Sequence, residues 1–326
     1  MPSNSSVPRR CTVCVATAFA VSALLISARP PAARYHLTKR ISVDSEAAVF
    51  LAVDASNRRL YGAGSVVIDI DRDAIVGKLP PHPGRGFAVA TDLGYGISRA
   101  GMIFDLKTLD VLHTIDASGY SVTYDRATGR AFLVGASRTD TQPTVRQITA
   151  IDPRAGSVLG VITLPSEPED GISDGAGRLY VAAPEIGTIF VIDARVLQIT
   201  ERWKLDNCPD PGGLAVDARH GRLFVSCENS RTIVLNVSDG RMVSSVVTHG
   251  QSLQSAFDPG TQLLFNPSGR GVMTVIHEDS PNAYSVVETV DTAEGTSAAA
   301  VDENTHRVYL YALPPSGVRI LVFRPR

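Results

Sequence analysis

"GRLYVAAPEIGTIFVIDAR", residues 177–195, decides the architecture of this 326-residue chain. Two short apolar runs, "LYVA" and "TIFVI", are separated by the loop "APEIG", which predicts two antiparallel strands. "GRLFVSCENSRTIVLNVSDGR", starting at Gly221, repeats the grammar about 44 residues later. A recurrence of that length points to a repeat architecture before any single element is assigned.

The repeat extends along the chain. An apolar–aromatic pair recurs at Leu60-Tyr61, Ala131-Phe132, Leu179-Tyr180, Leu223-Phe224, Leu264-Phe265 and Val308-Tyr309. Asp54, Asp125, Asp217, Asp258 and Asp302 each stand seven residues before the aromatic, and Asp174 stands six before its own. Turn formers such as "DASNRR", "DRATGR" and "DENTHR" lie between, as a tight hairpin requires. A seventh, degenerate copy is "TDLGYGIS", in which Asp92 opens a shortened turn and Gly96 replaces the aromatic.

A second anchor gives the same register. Asp69, Asp105, Asp152, Asp193 and Asn236 end the next strand, and Leu79, Ile115, Ile162, Trp203 and Val246 follow ten residues on, inside a further alternating strand. Each unit therefore holds four short strands and no helix, and units of 35–48 residues built this way predict a β-propeller. The last copy, ending "VRILVF", lacks its outer strand, whereas "YHLTKRISV" (35–43) reads as an outer strand with no blade of its own. The expectation is an all-β, seven-bladed propeller of four-stranded blades over 34–326. Its N-terminal strand completes the last blade and leaves no open edge.

These residues resemble the bacterial YVTN-type, or YncE-like, seven-bladed propeller family. "GRLYVAAPEIGTIFVID" follows that blade pattern nearly residue for residue, and "MIFDLKTLDVLHTI" (102–115) also matches. The stretch from Cys208 through Cys227 and "VIHEDSPNAYSVVETV" (275–290) resemble a subgroup of exported members. The resemblance spans nearly all of 35–326. The second blade departs by losing its aromatic, and the third by inserting "SRTDTQPTVRQ". What the resemblance implies is the fold; its motif specifies a blade, and members bind varied things.

Composition narrows the function classes. A hydrophobic fraction of 44% and a charged fraction of 20% argue against bulk disorder. A formal net charge of −2 with no basic run argues against a nucleic-acid protein, which needs a basic face. "MPSNSSVPRR", then the apolar 11–27, then "ARPPAA", has the tripartite shape of a secretory signal peptide over residues 1–33, with a retained membrane anchor as the alternative. Cleavage near Ala33 would remove Arg9, Arg10 and Arg29 and no acid, so the exported product is more acidic than the whole chain. A periplasmic or secreted protein is expected. Cys11 and Cys14 fall in the discarded segment. Cys208 and Cys227 survive it, and blade topology puts both at one end of the fifth blade, where a disulfide between them is expected, with a metal pair or two free thiols as the alternatives.

No catalytic motif stands up. "GISDG" (171–175) has the form of a nucleophile elbow, but a strand follows where the elbow needs a helix, and Ser173-Asp174 align with the hairpin turn of the other blades. The histidines show no metal-ligand spacing. His220 and His306 read as solvated turn residues, and only His82 and His249 lie on the face of Cys208. No metal and no cofactor are expected.

The remaining candidates are geometric. Propellers bind at the channel mouth, where loops before the inner strands converge. The register brings Glu46, Arg85, Tyr120, Glu169, Asp170, Asp210, Gln251 and Gln254 to that face, with Arg99, Glu185, Glu228, Asn229 and Arg231 on the neighbouring loops. Such a mixture of carboxylates and guanidiniums suits a small polar ligand or the loop of a partner protein. The expectation is a monomeric binding or scaffold protein with no membrane contact beyond its leader. The alternatives are a lactonase-type hydrolase holding a divalent metal in the channel, and an accessory of a periplasmic quinoprotein system. The first is disfavoured because the inner strands ("GLAVD", "AAAVD", "SVTYD") turn small and apolar residues to the axis.

Overall fold

A computed structural model describes residue 1 and residues 35–43, 50–62, 64–79, 86–135, 146–315 and 317–326. Residues 1–33, apart from Met1, and with them the leader and its cleavage site, lie outside these, as do Glu46, His82 and Arg85. Twenty-eight strands pair into seven four-stranded antiparallel sheets, each a meander of neighbours in sequence except the last. Blades 1 to 6 begin with inner strands Ala52–Asp54, Phe87–Ala90, Ser121–Asp125, Asp170–Ser173, Gly212–Asp217 and Ala256–Asp258, and blade 7 with Thr296–Asp302. In blade 7 the outer strand is Tyr35–Ser42, which pairs with Arg319–Pro325 from Tyr35↔Pro325 to Ser42↔Arg319. The ring is closed as the sequence predicts.

The recurring aromatics are core. Tyr61, Phe132, Tyr180, Phe224, Phe265 and Tyr309 are all at most 1% exposed. Each packs between sheets, so the free energy of its burial couples neighbouring blades. Tyr180, for example, shares a cluster with Leu214 and Leu223 of the next blade. Blade 2 solves the loss of its aromatic by exchanging partners across the strand pair. Gly96 lies opposite Phe104, where the other blades place an aliphatic side chain. A Cβ on Gly96 would come 2.2 Å from Phe104 Cζ, so the glycine is the space that the phenylalanine ring occupies.

The turn aspartates have a physical role as well. Asp54, Asp125, Asp258 and Asp302 are fully buried, and each accepts hydrogen bonds from its own turn: Ser56 and Asn57 N–H, Thr128 N–H and Oγ1, Gly260 N–H and Thr261 Oγ1, and Asn304 N–H and Thr305 Oγ1. This is Asx-turn chemistry taken into the interior. Three of the four also receive a donor from the following blade. Ser173 Oγ donates to Asp125 at 2.8 Å, His306 Nδ1 meets Asp258 at 2.7 Å, and Arg58 meets Asp302 at 2.9 Å.

The arginine two residues before the aromatic acts in the same sense. Arg59, Arg130, Arg178 and Arg307 donate to carbonyls of the next blade, at Leu106, Ala194, Val237 and Ile70. Arg222 reaches Pro281 O at 2.6 Å. Each arginine satisfies a carbonyl that the turn leaves unpaired. The "R-L-Y" of the repeat is thus one latch followed by two inward-packing residues.

Cys208 and Cys227 form a disulfide, with Cα atoms 5.1 Å apart. It ties the approach to blade 5's inner strand to the end of its second strand, Arg222–Cys227. Among the described residues, no helix is long and apolar enough to cross a membrane.

Candidate functional site at the channel mouth

In a meander, the loops before the inner strands and those between the second and third strands emerge on one face, and the remaining turns on the other. The first face carries a concavity of about 400 Å³ lined by Tyr120, Glu167, Pro168, Glu169, Pro184 and Glu185. Blade 3 supplies the tyrosine and blade 4 the rest: Glu167–Glu169 approach its inner strand, and Pro184-Glu185 lie in a single 3-10 turn after its second strand, Arg178–Ala183. A second hollow of about 430 Å³ shares Pro184 and Glu185 and continues past Lys204 and Asn207 to Asp210.

The glutamates differ in setting. Glu185 is exposed, receives Ser166 Oγ at 3.0 Å and faces Arg146 at 3.7 Å. Glu169 is half-buried, and desolvation, with Asp210, Asp170 and Glu167 nearby, pushes its carboxyl up to about 7. Gly212 lies beside it: a Cβ there would crowd Gln251 Nε2 at 3.2 Å and touch the Glu169 carboxyl at an ordinary 3.8 Å. Gln251 Nε2 donates to the carbonyl of Asp210, itself exposed at positive φ. Glu169, Asp210 and Gln251 therefore converge where blades 4, 5 and 6 meet.

Tyr120 forms the opposite wall. The Arg99 guanidinium stands 5.7 Å from its ring centroid and donates to its carbonyl at 2.7 Å, and Phe50 meets it edge-on at 5.9 Å. This wall is an aromatic ring with a fixed cation over it.

Asp170 lies deeper. It lines the channel cavity of about 190 Å³ together with Ser121, Leu214, Gln254 and backbone of the inner strands. Sequence reasoning found no buried carboxylate on the axis, and Asp170 corrects that, since it is 6% exposed. It is a joint between blades. Oδ1 accepts from Gly171 N–H at 2.8 Å and Oδ2 from Leu214 N–H of blade 5 at 3.0 Å. Burial raises its carboxyl to about 6 against the pull of those two donors.

The other expected residues turn elsewhere. Asn229 donates to Asn207 O at 2.8 Å, Arg231 to Ser245 Oγ on its blade's outer strand at 3.0 Å, and His249 pairs with Thr274 Oγ1 at 3.2 Å. The structure thus gathers Tyr120, Glu169, Asp170 and Asp210, and leaves Asn229, Arg231 and His249 in local contacts. Glu167 was missed, although "EPED" before an inner strand carries three acids in four residues.

On the opposite face, His220 and His306 are not solvated turn residues. His306 serves Asp258, as above. His220 sits in the blade 5 turn with Nδ1 2.7 Å from Asp217 Oδ2 and 3.1 Å from Glu278 Oε1. Desolvation, and Asp217 beside it, push the Glu278 carboxyl up to about 7.

No family model matches the chain, and no curated protein matches it. Solved structures do. The β-propeller domain of Cps50 (Swd1) from Myceliophteria thermophila covers 89% of this chain and 99% of its own length, at 13% identity and a TM-score of 0.65. A chain of hydrazine synthase from Kuenenia stuttgartiensis gives 86%, 96%, 13% and 0.69 in the same order, and a chain of the mitotic checkpoint complex 98%, 99%, 12% and 0.70. At such identities the likeness is one of fold, and the fold is the β-propeller.

Proposed function

We propose that the protein is an exported, YncE-like binding module that recognises a cationic group, presented on a basic segment of a partner protein, at its channel mouth. The observation that carries this reading is the concavity walled by Glu167, Glu169, Glu185 and the Tyr120 ring, with prolines between them. Carboxylates held close together favour a cation, because each suffers from the charge of the others. The Tyr120 ring, which already carries the Arg99 guanidinium, adds apolar surface for the stem of a lysine or arginine side chain. The prolines give apolar surface without mobile side chains, which lowers the entropy cost of binding. The tripartite N-terminus and the Cys208–Cys227 disulfide both suit an oxidising, extracytoplasmic compartment.

A hydrolase reading has one feature in its favour, the channel carboxylate of Asp170. Both of its oxygens are engaged by backbone N–H groups, which leaves it a weak metal ligand or base. A labelled Lys/Arg-rich peptide, titrated in fluorescence anisotropy, tests the binding reading. Binding is expected to weaken with added salt and by about tenfold in a Glu169→Gln, Glu185→Gln variant. A peptide that binds no better than its Ala/Glu counterpart would end it.

A further inference from the structure

The turn of blade 5 departs from its siblings in two places at once. Three residues after the buried aspartate, the turns of blades 1, 3, 6 and 7 carry Asn57, Thr128, Thr261 and Thr305, each with a donor on the carboxylate. Blade 5 carries His220 there. At the same seam, where blades 4, 7 and 1 send a hydroxyl, an imidazole or a guanidinium to the preceding blade's aspartate, blade 6 sends the carboxylate of Glu278, an acceptor. Two carboxylates therefore meet in the interior, Asp217 at 2% and Glu278 at 1% exposure.

Asp217 Oδ1 accepts from Arg219 N–H at 2.9 Å, but the other lone pairs are unclaimed. Among the described residues, no hydrogen bond reaches Asp217 Oδ2, either oxygen of Glu278, or His220 Nδ1. The nearest cation, Arg222, spends its nitrogens elsewhere, on the carbonyls of Pro281, His220 and Gly221 and on Asn282 Oδ1. A single imidazole proton on His220 Nδ1 cannot serve both buried carboxylates, so the cluster is short of donors, which is costly. The three ligand atoms lie within 4.8 Å of one another, with nitrogen–oxygen separations of 2.7 and 3.1 Å. Tetrahedral ligands at about 2.0–2.2 Å from a common ion stand about 3.3–3.6 Å apart, so the two nitrogen–oxygen pairs need to open by less than about 1 Å to take one.

We propose that Asp217, His220 and Glu278 bind a divalent transition-metal ion, with Zn²⁺ the best match, that clamps blade 5 to blade 6. An imidazole with two carboxylates suits Zn²⁺ better than Mg²⁺ or Ca²⁺, which prefer all-oxygen sites. Three protein ligands leave a position for water or an external donor. The His220 side chain, 24% exposed, is the route in. The site lies on the face opposite the acidic mouth, so neither proposal depends on the other.

The test is Zn²⁺ titration of the chelator-treated full chain by calorimetry, with thermal unfolding followed in parallel. Two variants are compared: Glu278→Gln, which is isosteric, and His220→Thr, which restores the turn residue of blades 3, 6 and 7. The wild type is expected to take up one equivalent and to unfold several degrees higher with Zn²⁺ than with Mg²⁺. Both variants should bind at least tenfold more weakly, and Glu278→Gln should unfold no lower than the wild type in chelator. Uptake equal in wild type and variants overturns the proposal. So does a wild type whose unfolding ignores Zn²⁺ while Glu278→Gln is stabilised, which would mean that a shared proton joins the carboxylates.

Discussion

The seam between blades 7 and 1 and the seam between blades 5 and 6 bury an aspartate at the same turn position, Asp302 and Asp217. At the first, desolvation pushes the Asp302 carboxyl up, but hydrogen bonds from Arg58 and Thr305 outweigh it and hold the group below the ordinary range. Arg58 also grips Asp71, so one guanidinium spans two acids. At the second seam the group facing the aspartate is Glu278, and its carboxyl moves up instead. The repeat therefore dictates a buried acceptor, and each seam chooses its own counter-group. Where the choice is a fixed cation the joint is complete within the chain; where it is a second carboxylate the joint needs a proton or an ion from solution.

The largest expected effect comes from breaking the first seam. Asp302→Ala leaves Arg58 half-paired and the turn N–H groups unmet, and should cost about 3–5 kcal/mol, read from urea denaturation. Asp217→Asn, in chelator, should be neutral or stabilising, because it removes a like-charge contact. Equal losses in the two variants would erase the contrast between the seams.

Blade 5 has compensation on its other face. Replacing Cys208 and Cys227 together by serine opens a loop with a sequence separation of 19 residues and should cost about 3 kcal/mol in the chain-entropy account. A denaturation midpoint unchanged by reductant in the wild type would show that blade 5 is held without the bridge.

The smallest effect concerns charge at the mouth. Glu169 titrates near 7 when folded against an ordinary 4.5, so the native state holds the extra proton. Stability linked to it is full below about pH 4.5 and is lost as pH rises through 7. Asp170 and Glu278 act in the same direction. The unfolding midpoint should thus fall between pH 5 and pH 8, and Glu169→Gln should make that fall shallower. A variant with the same slope as the wild type would show that the Glu169 carboxyl is solvated.

Blade number, strand order, ring closure and the face shared by the two cysteines were legible because each rests on local alternation repeated many times. The arginine latch was equally visible, two residues before five of the aromatics, yet its meaning needs the neighbouring blade's carbonyl. The exchange between Gly96 and Phe104 is written in adjacent strands and looks like decay until the two are paired. Glu278 gives no local signal. It ends a third strand some sixty residues after Asp217, and only blade stacking makes the two neighbours. The mouth was half legible: the register finds which loops share a face, but whether a side chain turns to the centre, as Glu169 does, or to the rim, as Arg231 does, depends on packing that no periodicity encodes.

Closure of the ring by Tyr35–Ser42 has a kinetic side. Among the described strands, Tyr35–Ser42 leaves the ribosome first and finds its partner, Arg319–Pro325, only after all the others have been made. Six blades can form by local meanders, each a short-range event, while the seventh waits on the strand pairing of greatest sequence separation among the described residues. Until then the flank of blade 1 and the edge of the last strand stand open, and a partly made chain offers pairing edges to its neighbours. The joint that leaves the finished protein without an edge is thus also the last to form, which makes the interval before it the time of greatest exposure to aggregation and proteolysis.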